Sequence, residues 1–198
     1  MSGINIAVSD KAALRQSALA RRDAMSASAR ASAVETVTMR PFPVAVQQGD
    51  IVSGFSPIRT EFNPVPLMRK LSDAGAALAL PVVAGRGLAL IMRAWKFGDE
   101  MASGVWGIRE PKPESPEVFP DILLVPLAAF DRAGHRIGYG AGHYDRTIAR
   151  LREMKRVTAI GVCFAVQEID HVPATAFDQR LDLVLTENET IDFRHTGS

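Results

Sequence analysis

Cysteine is nearly absent from this chain, with Cys163 alone among 198 residues. One thiol excludes an intrachain disulfide framework and fits a reducing, cytoplasmic setting. Cys163 sits in the apolar run VTAIGVCF, where it reads as a buried strand residue, with a nucleophile as the alternative. A dominant charge is also missing. The 23 basic and 22 acidic residues leave a formal charge of +1, which argues against bulk binding to nucleic acid or a membrane surface. Apolar runs such as ILLVPLAAF are too short to span a bilayer. The first residues lack the basic-then-apolar build of a signal peptide, and Asp10, Asp23 and Glu35 speak for folded helix over a transit peptide. His135, His171 and His195 show no metal-ligand spacing and read as ordinary surface or turn residues.

What is present is an ordinary globular composition, 47% apolar, without repeat, low-complexity tract or dividing linker. A chain of this length buries roughly 70% of its unfolded surface. A single soluble domain over residues 1–198 is therefore expected. SDKAALRQSALARRDAM opens with Ser9 and Asp10 as N-cap candidates and continues in strong helix formers, with Lys11, Arg15 and Arg22 on a common face. MSASARASAVETVTM predicts a second helix capped near Ser26. DIVSGFS reads as a strand, and PVPLMRKLSDAG as a short helix closing on Gly75. AALALPVV and LALIMRAW predict strands, and residues Phe97–Pro120 a long functional loop. DILLVPLAAF has the unbroken apolar character of a strand buried on both faces. HYDRTIARLREM is helical, then RVTAIGVCF and LDLVLTE are strands. This alternation predicts an α/β sandwich with a largely parallel sheet.

One segment stands out. In DRAGHRIGYGAGHYDRTIARL, glycines alternate at Gly138, Gly140 and Gly142, Arg136 precedes them, and Asp145 follows at the start of a helix. Alternate glycines strip Cβ atoms from one side of the backbone and permit positive φ, so N–H groups can turn toward an anion with the helix dipole behind them. Asp145 beside bound phosphates is a natural ligand for Mg²⁺. The spacing misses the G-x-G-x-x-G dinucleotide fingerprint, since position 143 is His, and no Gly-Lys-Ser/Thr follows as in a P-loop. Tight packing is the competing explanation of such a turn. The residues themselves therefore point to a phosphate loop without identifying the nucleotide.

LLVPLAAFDRAGHRIGYGAGHYD resembles the signature of the 5-formyltetrahydrofolate cyclo-ligase (methenyltetrahydrofolate synthetase) family: an apolar strand ending in Phe-Asp, a Gly turn, Arg-Leu/Ile-Gly, then G-x-G-x-G-aromatic-Tyr-Asp. KAALR, GFSPIRTEFNPVPL, WGIREP and FDQRLDLVLTE resemble further family segments in the same order. The resemblance implies a Rossmann-like three-layer α/β/α sandwich and a ligase of one-carbon metabolism. That enzyme uses ATP and Mg²⁺ to turn 5-formyltetrahydrofolate, possibly polyglutamylated, into 5,10-methenyltetrahydrofolate. It implies that Lys11, Arg15 and Arg136 contact ATP phosphates and that Gly138, Tyr139, Gly140, Ala141, Gly142, His143 and Tyr144 form the nucleotide loop. Phe55, Glu61 and Trp106, with residues Tyr139 to His143, would meet the folate. Arg136, Tyr144 and Asp145 would be catalytic, and Asp145 and Asp178 would serve Mg²⁺. A monomer or weak homodimer is expected, with no nucleic-acid or membrane partner.

The bland readings remain beside these roles: a solvated basic helix face for Lys11 and Arg15, a loop acid for Glu61, a core Phe for Phe55, a turn residue for Asp178. The pattern also departs at His143, where Tyr or Phe is common, at Ala141, and at Asn63, where an acid often stands. These bear on affinity more than on reaction class. A non-catalytic folate- or nucleotide-binding relative is the alternative from a different class. An NAD(P) or sugar-phosphate protein is disfavoured by the glycine spacing.

Overall fold

A computed structural model describes residues 3–104 and 107–194, with side chains from Asp10 onward. Four helices, α1 (Gly3–Asp23), α2 (Ala27–Met39), α3 (Val65–Asp73) and α4 (His143–Met154), accompany eleven strands. The strands are β1 (Ile51–Ser53), β2 (Ala77–Val82), β3 (Ile91–Trp95), β4 (Met101–Ser103), β5 (Arg109–Pro111), β6 (Ile122–Val125), β7 (Ala129–Phe130), β8 (Arg136–Ile137), β9 (Thr158–Val162), β10 (Leu183–Leu185) and β11 (Thr190–Asp192). Seven of them form one sheet in the order β11-β10-β9-β6-β1-β2-β3. The inner five run parallel, and β3 and β11 close the edges antiparallel.

The strands alternate their side chains between two apolar layers. Val52 lies level with Leu78 on one side and Ile122 on the other. With Leu80, Leu124, Ile160 and Leu183 they build the core under α2 and α3. Ala79, Leu123, Val125, Ala159 and Val184 project the opposite way, beneath Ile148 and Leu151 of α4. Helices on both faces explain why these strands read as continuous apolar runs. Each fully buried leucine here contributes roughly 1.5–3 kcal/mol. The expected three-layer sandwich with a largely parallel sheet is the architecture observed. Among the described residues no helix is long and apolar enough to cross a membrane.

Several boundaries differ from the sequence expectation. Helix α1 starts at Gly3, so Ser9 and Asp10 lie within it; no proline stands upstream of them to stop propagation. Ser26 does cap α2, accepting from the Ala29 N–H. The apolar run at 122–130 is two strands, not one. Pro126 has no N–H to offer the ladder, and the chain leaves the main sheet there to pair β7 with β8. The expected loop Phe97–Pro120 contains the hairpin β4–β5, and its later part runs along β3, with Val118 N–H donating to the Met92 carbonyl. Cys163 lies just past β9, buried, and desolvation raises its thiol well above the ordinary value, which favours the structural reading.

This topology determines where a ligand can sit. The parallel strands in chain order are β1, β2, β6, β9 and β10, and β1 stands between β2 and β6. The chain thus reverses direction across the sheet at β1/β6, and a crevice opens beyond their carboxyl ends. The loop after β1 carries Phe55 to Glu61, and the chain after β6 leads to the glycine turn. Asp131 shapes that approach. It is buried, with Oδ1 accepting from Ala133 and His135 N–H groups at 2.9 and 3.0 Å and Oδ2 from Val172 N–H at 2.9 Å. Asp131→Ala leaves these amides without their acceptor and is expected to lower unfolding free energy by about 3 kcal/mol. Urea denaturation checks this, and a loss below about 0.5 kcal/mol, the range of surface substitutions, would contradict it.

Candidate active site

Helix α1 lies across the carboxyl edge of the sheet and lays its basic face on the glycine turn. Lys11 Nζ donates to Asp178 Oδ2 at 2.6 Å, and Arg15 Nε donates to the Gly138 carbonyl at 2.7 Å. Two turns on, Arg22 Nη1 donates to the Tyr139 hydroxyl at 2.7 Å and Nε to Thr60 Oγ1 at 3.1 Å. Arg22 is 4% exposed and connects the glycine turn with the loop after β1. The sequence placed Arg22 on the basic face but gave it no role. Its signal was the shared spacing with Lys11 and Arg15. Arg21 points elsewhere and fixes the end of α1 by donating to the Val166 and Glu168 carbonyls.

The turn is open toward solvent. Among the described residues, the backbone N–H groups from Gly138 to Asp145 meet no acceptor. Behind them stands α4, whose N-terminal dipole favours an anion at the same place. Gly140 (φ 103°) and Gly142 (φ 66°) occupy left-handed backbone, and a Cβ at Gly142 would stand 2.7 Å from Arg146 Nη1. Gly138 does not need positive φ; a Cβ there would simply project into open space. Arg146 Nη1 donates to the Ala141 carbonyl and closes the turn, and His143 Nδ1 is hydrogen-bonded to the Leu88 carbonyl at 2.8 Å.

Arg136, 5% exposed, lies beneath this turn. Its Nη2 donates to Asp145 Oδ1 at 2.7 Å, and Nη1 donates to the Gln179 carbonyl. Burial pulls the guanidinium below its ordinary value, and the Asp145 carboxylate opposes that pull. The same Asp145 oxygen accepts the Gln179 N–H at 3.0 Å. Asp178 Oδ2 accepts from Lys11 and from Thr175 N and Oγ1 at 2.6 and 2.9 Å. Burial alone would raise the Asp178 carboxyl, but the Lys11 and Thr175 hydrogen bonds outweigh it and hold the group low. Among the described residues, no three acid, His or Cys side chains gather around one point. Asp145 and Asp178 each leave one oxygen without a protein donor. Such a set suits Mg²⁺, which keeps water and takes phosphate oxygens beside one or two carboxylates.

The loop after β1 carries the other candidates. Glu61 Oε2 accepts the Ile58 N–H at 2.8 Å, and Glu61 N–H returns to the Ile58 carbonyl, which locks a tight turn. Arg59 within it holds φ 54°, the one positive-φ non-glycine among the described residues. Burial raises the Tyr139 and Tyr144 hydroxyls above the ordinary range, and the Glu61 charge adds to this at both. The Tyr144 hydroxyl is buried without a partner. Glu61, Arg136 and Tyr139 thus lie within electrostatic reach of the Tyr144 hydroxyl. The loop after β1 also walls a cavity of about 620 Å³, through Phe55, Ile58 and Arg59, with Met68, Trp95, Met101 and Gly107 opposite. Glu61 itself lines a second cavity of about 530 Å³ beside α2, with Val34, Asn63 and Phe164. Phe55 belongs to the core and also stands in the wall of the first cavity. Trp106 lies outside the described residues, as does His195. Trp95 was missed: a tryptophan ending a strand reads as packing, yet its buried Nε1 has no acceptor and its ring lines that first cavity.

The low Asp178 carboxyl carries a sign. Its interactions contribute stability above the ordinary aspartate value near ~4, and that contribution is lost as pH falls through the depressed native value. The difference in unfolding free energy between wild type and Asp178→Asn is expected to be present at neutral pH and to shrink toward zero in strong acid. Urea melts across pH check it, and a difference independent of pH would contradict it.

The profile of the 5-formyltetrahydrofolate cyclo-ligase family matches residues 7–187. The 5-formyltetrahydrofolate cyclo-ligase of Mycolicibacterium smegmatis is 34% identical over 151 residues, covering 72% of this chain and 76% of that protein. That of Escherichia coli K12 is 30% identical over 159 residues, covering 76% and 85%. The solved structure of Aquifex aeolicus 5,10-methenyltetrahydrofolate synthetase superposes with a TM-score of 0.78 at 28% identity, covering 95% of each chain. Since the family profile spans nearly the whole chain and its fold is shared, this chain belongs to the 5-formyltetrahydrofolate cyclo-ligase family.

Proposed function

We propose that the protein converts 5-formyltetrahydrofolate and ATP into 5,10-methenyltetrahydrofolate, ADP and phosphate, as a cytoplasmic single-domain enzyme working as a monomer or weak homodimer. One observation carries the reading: Arg15 and Arg136 are bonded to the glycine turn and to Asp145 behind it, Lys11 pairs with Asp178, and Arg22 ties the turn to Thr60 in the loop whose Ile58 and Arg59 line the first cavity. A triphosphate at the turn and a flat ring system with a polar edge at the Glu61 loop would then adjoin at the β1/β6 crevice.

The chemistry requires such adjacency. A formyl amide oxygen is a poor leaving group, so N10 cannot expel it. Transfer of the γ-phosphoryl group to that oxygen makes it a phosphate, which departs when N10 attacks. Positioning and charge neutralisation supply most of the acceleration in such a transfer. Lys11 acts as a point charge, Arg15 and Arg136 as forks, and the turn amides as fixed donors. Asp145 and Asp178 would hold Mg²⁺, which neutralises phosphate charge when bound. Glu61 accepts from the N–H-rich pterin edge. The unpartnered Tyr144 hydroxyl would donate to the formyl oxygen, and Phe55 and Trp95, which line the first cavity, would flank the folate rings.

The test is ATP-dependent absorbance at the methenyl product's band, with 5-formyltetrahydrofolate and Mg²⁺. A rise only with ATP is expected. No rise, with both ligands still bound, would replace this reading with a binding-only relative. Asp145→Ala would strand the buried Arg136 guanidinium, so Asp145→Asn, which still accepts from Arg136 and Gln179, separates chemistry from folding. It is expected to lower kcat at least about 100-fold, the scale of losing one group that stabilises transition-state charge. A wild-type rate in a folded Asp145→Asn would contradict the Mg²⁺ role.

A further inference from the structure

The segment from Thr175 to Gln179 is built into the phosphate site. Thr175 N–H and Oγ1 bind Asp178 Oδ2, the Asp178 N–H returns to the Thr175 carbonyl, and Lys11 anchors the same carboxylate. Gln179 donates its N–H to Asp145 and accepts Arg136 on its carbonyl. Phe177, between them, turns away. It is 87% exposed, more than any other large apolar side chain among the described residues, although its neighbours are held on both sides. Its own N–H leans on Thr175 Oγ1 at 3.4 Å, so the backbone that presents the ring is fixed.

A phenyl ring in water gains nothing for the fold, and here it stands one residue from Asp178 on a turn clamped by a phosphate-site lysine. We infer that Phe177 is the platform on which the purine base of the bound nucleoside triphosphate stacks. This rests on the reading of Lys11, Arg15 and the glycine turn as the triphosphate site. The base is tethered to those phosphates through the ribose, and a base offers a π-face of the size a phenyl ring covers. Stacking tolerates either purine, so Phe177 adds affinity for a nucleoside over bare phosphate and little discrimination between ATP and GTP.

Inorganic tripolyphosphate separates the base from the phosphates. Calorimetric titration in Mg²⁺ is expected to show ATP binding weakened about 10-fold in Phe177→Ala, on the scale of one base–aromatic stack. Tripolyphosphate affinity should stay unchanged. Phe177→Trp should retain ATP affinity, and its added fluorescence should respond to ATP and not to tripolyphosphate. In turnover, the Phe177→Ala loss should appear in KM for ATP and not in KM for the folate. Wild-type ATP affinity in Phe177→Ala, or equal losses for both ligands, would overturn the inference while leaving the triphosphate site standing. Failure of the wild-type protein to bind either ligand would overturn that site and this inference with it.

Discussion

A guanidinium buried beneath a glycine turn is the constraint on which this site is organised. An unpaired charge at that depth costs several kcal/mol, so Arg136 requires partners. It takes them from two distant places in the chain, Asp145 at the start of α4 and the Gln179 carbonyl. Those two are themselves joined by the Gln179 N–H. The ion pair therefore holds the start of α4, the start of β8 and the segment before β10 in one arrangement. Asp178 and Phe177 inherit their positions from it. The charge that folds this corner is also the one proposed to meet an incoming phosphate.

The second organising element is α1. Among the described residues, no α1 side chain enters the two main core clusters under α2, α3 and α4. It is attached instead through a small apolar contact, Ala18 with Ala129, Ile137 and Val172, and through its basic face. Lys11 reaches Asp178, Arg15 reaches Gly138, and Arg22 joins Tyr139 to Thr60. The α1 cations thus tie together the glycine turn, the Asp178 segment and the loop after β1. The arrangement makes the glycine turn and the Glu61 loop neighbours through Arg22.

Much of this was legible in the sequence, for identifiable reasons. The parallel strands announced themselves because burial on two faces leaves no polar alternation, and the glycine segment because its alternation before a helix stands out, although only Gly140 and Gly142 use positive φ. The misses share a cause as well. Pro126 divides an apolar run whose hydrophobicity alone says one strand. The β4–β5 hairpin hides in a stretch where glycine and proline mask short pairing. The start of α1 was misplaced because a cap-forming Ser-Asp also sits comfortably inside a helix. Arg22, Trp95 and Phe177 were missed because their significance is a burial, an orphaned N–H and an exposure. Those properties exist only once the chain has folded.

The central claim is that the α1 cations and the glycine turn make one triphosphate site. Backbone amide spectra of the isotope-labelled protein, titrated with a non-hydrolysable ATP analogue and Mg²⁺, test it most directly. The account predicts that the Gly138 to Asp145 amides shift together and saturably, with those of Lys11, Arg15 and Asp178, and that they gain protection from exchange. Saturable binding that leaves the Gly138 to Gly142 amides unmoved would contradict it.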